Sequence, residues 1–131
     1  MSEYGEKEAK KGLNEPLPVI ESFPNQFKGE EKRYRIHIEI PEYTSVCPKT
    51  GLPDFGEISI DYVPKDKCVE LKSLKEYILA YRNLGIFYEN AVNRIFEDFM
   101  NYIEPYALVI EGFFNPRGGI YTTVRREFGK L

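Results

Sequence analysis

One cysteine and one carboxylate stand seven residues apart in a short run, Ser45-Val46-Cys47-Pro48-Lys49-Thr50-Gly51-Leu52-Pro53-Asp54, with no histidine nearby to act as base. A thiolate adds to electrophilic carbon, and a neighbouring carboxylic acid can return the proton that the adduct then needs. A lone cysteine is more often a small core hydrophobe. Here Pro48, Gly51 and Pro53 mark a turn rather than a core strand, and Lys49 adds a positive charge that favours thiolate over thiol. The run therefore predicts a reactive Cys47, with Asp54 held beside it on a stiff turn.

Three other places carry charge in patterns that suit a ligand. In Glu70-Leu71-Lys72-Ser73-Leu74-Lys75, the two lysines fall on one side of a helix start, where backbone N–H groups and two cations suit a phosphate. Arg117, in Pro116-Arg117-Gly118-Gly119, offers a planar fork for a phosphate beside glycines that admit close approach. Glu89 opens a second helix. It is either a first-turn charge or an acceptor for the N1–H and 2-amino donors of a guanine-like ring.

The elements that must position these residues follow from periodicity. Tyr34, Ile36, Ile38 and Ile40 alternate with polar residues, as do Ile58, Ile60 and Tyr62 before Pro64, so each run predicts a strand with one buried face. From Leu71 the spacing becomes helical, through Leu74, Ile78 and Tyr81 to Leu84 and Gly85. Ala91, Val92, Ile95, Phe96, Phe99, Tyr102 and Ile103 mark a second helix that Pro105 closes. Two further strands, Tyr106–Phe114 and Ile120–Glu127, flank the turn at Asn115–Gly119. The order ββααββ predicts an α+β fold, a four-stranded antiparallel sheet with two helices on one face.

Length sets one domain for the 131 residues. Residues 1–25, rich in charge, Gly and Pro without a sustained period, are expected to be a flexible N-terminal segment, and residues 26–131 the folded domain. A net charge of −3 argues against general nucleic-acid binding, so any anion site is a local patch. No run has the length of a membrane span and the N-terminus lacks a signal-like stretch, so a cytoplasmic protein is expected. Two cysteines are too few for a disulfide scaffold, and a single histidine, His37, cannot complete a zinc set, so no metal is expected. Ten tyrosines exceed the needs of one small core, leaving aromatic surface for subunit contacts or ring stacking.

The motifs occur together and in order: Ser-Val-Cys-Pro-Lys-Thr-Gly with Pro-Asp, Glu-Leu-Lys-Ser-Leu-Lys, Arg82-Asn83 with Phe-x-Glu, and Pro-Arg-Gly-Gly. From about Tyr43 to Gly119 the chain resembles the QueF nitrile reductases of queuosine biosynthesis in their short single-domain form. The resemblance implies a tunnelling fold assembled as a homo-oligomeric ring, with sites at the subunit boundaries. It implies that Cys47 adds to the nitrile of 7-cyano-7-deazaguanine to give a covalent thioimide, that Asp54 donates the proton, and that two hydrides from NADPH complete the amine. It further implies that Val69, Glu70, Leu71, Tyr88 and Glu89 contact the deazaguanine, and that Lys72, Ser73 and Lys75 hold the dinucleotide; Arg117, from the chemistry of its own turn, is a further candidate for the cofactor.

Three departures from the family pattern stand out: Tyr88 where histidine is common, Glu76 where Leu or Tyr is usual, and an end soon after the Pro-Arg-Gly-Gly turn. Two rivals remain at this stage: a transferase that adds an amine to the same thioimide but lacks the Glu-x-Lys-Ser-x-Lys motif, and a non-catalytic purine-binding ring. The zinc-dependent cyclohydrolases of the same fold are disfavoured by the missing histidines.

Overall fold

A computed structural model describes residues 5–131. Its main sheet joins β2 (Ile36–Val46), β3 (Pro53–Val63), β5 (Ala107–Arg117) and β6 (Ile120–Phe128), in the order β2-β3-β5-β6 and antiparallel throughout. Between β3 and β5 the chain forms α2 (Leu71–Leu79), a 3-10 turn (Ala80–Asn83) and α3 (Tyr88–Ile103). The expected ββααββ core is present. Among the described residues, no helix is long and apolar enough to cross a membrane.

Each helix ends for a local reason. Glu70 precedes α2 with extended backbone, and its carboxylate accepts the N–H groups of Lys72 and Ser73 at 2.9 and 2.8 Å, so two otherwise orphaned donors are satisfied. α3 stops at Glu104, which takes a left-handed φ of 52°, and Pro105 then blocks continuation. The buried stripe Ala91, Val92, Ile95, Phe96, Phe99 and Ile103 faces the sheet.

Tyrosine fills much of the core. Tyr43, Tyr62, Tyr77 and Tyr81 are fully buried, so a good part of the aromatic surplus goes to packing, while Tyr121 and Phe55 do remain exposed. A buried phenol needs a partner, and three of the four have one. Tyr62 Oη accepts the Val69 N–H at 2.9 Å, and Tyr77 donates to Asp98 at 2.5 Å while sharing a 2.8 Å bond with Tyr81.

The N-terminal segment differs from expectation. Residues 1–4 lie outside the described residues, but from Ala9 onward the chain is tied to the body. It carries a single-turn helix, α1 (Glu6–Ala9), and a short strand, β1 (Ser22–Pro24), which pairs antiparallel with β4 (Lys67–Val69). Ile20 is buried, and Arg94 donates to the carbonyls of Gly12 and Glu15, each at 2.5 Å. Asn90 reaches the Ala9 carbonyl. The segment showed no period because most of its polar anchors are backbone groups, which are the same at every residue.

Arg94→Ala is expected to leave those carbonyls unpaired and lower stability by about 1–3 kcal/mol. Limited trypsin digestion should then cut after Lys10 or Lys11 faster than in the parent protein. Equal cleavage rates would show that Arg94 does not hold the segment.

Candidate active site

The site begins with a fault in strand register. Ile40 pairs with Ile58 and Tyr43 with Gly56, so Pro41 and Glu42 on β2 oppose the single residue Glu57 on β3. This bulge shifts the phase of β2. Before it Ile36, Ile38 and Ile40 face the core; after it Tyr43 and Ser45 do. Ser45 therefore shares a face with its ladder partner Asp54, and both are buried.

Cys47 follows β2 directly. Its N–H donates to the Leu52 carbonyl and its own carbonyl accepts the Gly51 N–H, both at 2.9 Å, with Gly51 at a φ of 72° that suits glycine. A second tie lies across the chain, where the Val46 N–H donates to Leu84 and the Ile86 N–H to Val46. The thiol is thus fixed from two sides. Asp54, expected on the turn, stands instead on β3, and the Thr44 hydroxyl fixes its carbonyl at 2.7 Å.

Partial burial raises the Cys47 thiol's pKa, but the Thr50 hydroxyl and the N–H groups of Thr50 and Lys49 outweigh it and hold the thiol below its ordinary value, against a small opposing push from Asp54. Lys49 thus acts through its backbone N–H, where its ammonium charge was the expected cause. Thr50 was missed, although it stands three residues from the cysteine, where a tight turn brings a hydroxyl back to the thiol.

Asp54 is 5% exposed, and a buried carboxylate requires donors. Tyr88 donates to Oδ1 at 3.1 Å, and Arg117 forms an ion pair with the same oxygen. A second bulge aims that arginine: Asn115 and Pro116 on β5 oppose only Tyr121 on β6, so Arg117 follows Phe114 on the inner face. The Tyr88 ring lies flat on Phe114, with centroids 4.0 Å apart and planes 10° apart. Oδ1 is committed to two donors, and Oδ2 takes part in neither bond.

Cys47, Asp54, Tyr88, Glu89 and Arg117 line one cavity of about 380 Å³, with Phe87 and the Lys49-Thr50 turn completing it. Glu89 lies in the first turn of α3 and is exposed toward this space. A larger recess of about 900 Å³, which includes Arg82 and Asn83, holds neither the thiol nor the acid, so the smaller cavity is the candidate site. Val69, Glu70, Leu71, Lys72, Ser73 and Lys75 line neither the Cys47 cavity nor its neighbour beyond Asp54. Leu71 and Lys75 instead line a groove against Ile38 and Ile40 on the edge strand β2.

Two expectations about that second group change. The start of α2 is not an open anion seat, because the Glu70 carboxylate already occupies the N–H groups of Lys72 and Ser73; those bonds hold its pKa below the usual carboxylate value. Ser73 is buried, and its hydroxyl donates to the Glu70 carbonyl while accepting the Glu21 N–H, both at 2.8 Å. It ties the N-terminal segment to α2. Lys72 and Lys75 remain as exposed cations on the helix.

The sheet, the helix pair and a cysteine–carboxylate cavity define a tunnelling-fold protein equipped for thiol chemistry. A solved archaeosine synthase QueF-Like in the apo form shares this fold, with a TM-score of 0.65 over 76% of this chain and 95% of that one, at 21% identity. The chain belongs to the QueF-like protein family, which it matches over residues 53–131. It is 50% identical over 127 residues to the NADPH-dependent 7-cyano-7-deazaguanine reductase of Elusimicrobium minutum, covering 97% of this chain and 94% of that one. The enzyme of the same name from Chlorobaculum tepidum is 50% identical over 112 residues, 86% of this chain and 94% of that one.

Thr50→Val removes the hydroxyl that favours the thiolate, so the pH midpoint for Cys47 alkylation should rise and the rate at neutral pH fall. Following iodoacetamide labelling by mass across a pH series checks this. A midpoint that stays put or falls would remove Thr50 from the site.

Proposed function

We propose that this chain is an oxidoreductase that reduces the nitrile of 7-cyano-7-deazaguanine to the aminomethyl group with two NADPH. The relatives' names specify the reductant and the substrate. The observation that carries the reading is the pairing of Cys47 with Asp54 in one cavity, the acid held through a single oxygen.

A nitrile carbon is a weak electrophile, and covalent capture turns it into an imine equivalent that accepts hydride. The Cys47 S–H bond breaks, its proton passes to Asp54 Oδ2, and sulfur bonds to the nitrile carbon. The same proton then moves to the nitrile nitrogen, giving a neutral thioimide with no atom or charge left over. Two hydrides from bound NADPH and two protons from solvent complete the amine, and the C–S bond breaks along the way to regenerate the thiol.

Glu89 is the anchor for the deazaguanine: its two oxygens accept in parallel from N1–H and the 2-amino group. Tyr88, in the place of a histidine, uses its hydroxyl on Asp54, so its role is to hold the acid as well as to face the ring. Lys72 and Lys75 suit the phosphates of the dinucleotide as point charges; the helix start itself is taken by Glu70. Val69, Glu70 and Leu71 complete a deazaguanine pocket only if a second subunit presents them to this cavity. This favours a homo-oligomer, a ring with sites at its boundaries. The protein acts on a free small molecule in the cytoplasm.

Mixing protein, nitrile and NADPH should consume two NADPH per amine, and intact-protein mass should show the nitrile adduct. Cys47→Ala is expected to lose both, whereas Asp54→Asn keeps some adduct and stalls reduction. An adduct that persists without Cys47, or an amidine product that forms without NADPH oxidation, would refute the assignment.

Glu89→Gln should weaken nitrile binding by about 1.5–3 kcal/mol, because a donor then faces the ring's own donors. Titration calorimetry without NADPH measures it, and unchanged affinity would return Glu89 to a first-turn charge. Replacing Lys72 and Lys75 together with Ala should raise the KM for NADPH while leaving adduct formation intact.

A further inference from the structure

Two hydroxyls behind the acid, Tyr43 Oη and Ser45 Oγ, are the buried side-chain oxygens without a hydrogen-bond partner among the described residues. Their side chains are 1% and 0% exposed. An unpaired buried hydroxyl is unfavourable, and folded proteins rarely keep one without use. Here two lie together, and both are turned inward by the bulge at Pro41-Glu42. Neither serves the mechanism described above.

Their position points to Asp54. Ser45 is its direct partner in the β2–β3 ladder, and such pairs bring Cβ atoms to roughly 4.5–5.5 Å, a span that one water can bridge between hydroxyl and carboxylate. The Tyr43 ring is packed between Tyr81 and Phe114, at centroid distances of 5.8 and 6.0 Å. Burial drives its phenol well above the ordinary range, a weaker opposing pull comes from the Ser45 hydroxyl, and the Asp54 and Tyr88 charges push it further. Ser45 is thus near enough to be felt by Tyr43, yet the two are not aligned into a hydrogen bond.

We propose that Ser45 and Tyr43 are positioning residues for Asp54, their hydroxyls seating the second carboxyl oxygen through a bridging water while Tyr88 and Arg117 hold the first. This rests on the reading that Asp54 carries the proton from thiol to nitrile nitrogen. Fixed at Oδ1 alone, the carboxyl group can still swing about that point. A donor on the inner side fixes its plane, and orientation of this kind governs the rate of proton transfer.

The test compares the parent protein with Ser45→Ala, Tyr43→Phe and Ser45→Thr. Each is followed by thermal melting, by nitrile and NADPH affinity, and by the rate of adduct formation in H2O and in D2O. A purely structural role predicts that removing an unpaired hydroxyl leaves activity unchanged. Positioning predicts something different for Ser45→Ala: a melting temperature equal to or above the parent, unchanged affinities, an adduct rate about tenfold lower, and a larger solvent isotope effect. Tyr43→Phe should shift the same way by less, and Ser45→Thr, which keeps a hydroxyl, should recover most of the rate. Parent-like rates and isotope effects in both hydroxyl-free variants would overturn the proposal, as would losses explained by weaker nitrile binding. A parent protein that forms no adduct at all would overturn the thioimide reading and this one with it.

Discussion

A β-strand offers alternate side chains to opposite faces, and the site exists because two strands break that rule. In β2 the extra residue at Pro41-Glu42 moves the inward phase from Ile40 to Tyr43 and Ser45; in β5 the extra residue at Asn115-Pro116 turns Arg117 inward after Phe114. Each bulge contains a proline, which lacks the N–H that a regular ladder would need there. Asp54 lies on β3, whose alternation runs unbroken from Asp54 to Tyr62. The acid therefore stays on the regular strand while its neighbours are brought round to it.

Much of this was legible and the rest was not, for definite reasons. The helical stripe of α3 and the alternation of Ile58, Ile60 and Tyr62 read correctly, because long periodic runs report the face they bury. The reactive run around Cys47 was visible as residue types. Its geometry was not: extending the alternation of Ile36, Ile38 and Ile40 past Pro41 would put Glu42 and Thr44 inside. β1 and β4 are three residues each and too short to show a period. Glu70 read as a ligand contact, yet within this chain it is a helix cap, because a carboxylate just before a helix suits either task.

Electrostatics in this protein is arranged by backbone as much as by charged side chains. Cys47 is shifted by two N–H groups and a hydroxyl, Glu70 by two N–H groups, and Arg94 binds carbonyls. Such contacts depend on the path of the main chain and are insensitive to salt compared with exposed ion pairs. Among the side-chain ion pairs, Asp54–Arg117 joins a buried acid to a partly exposed guanidinium in the candidate cavity.

The docked N-terminal segment bears on how the chain folds. Its anchors to α2 and α3 join residues 52 to 82 positions apart: Glu21 to Ser73, Ala9 to Asn90, Gly12 and Glu15 to Arg94. Contacts of such separation close large loops, whose entropy must be met before any bond repays it, so they form after the local hairpins and helices. During synthesis the segment emerges ahead of α2 and α3 and finds no surface to dock on until they have followed. Its Gly, Pro and charged residues keep it soluble through that wait, so the composition that reads as disorder is suited to a piece of chain that folds last.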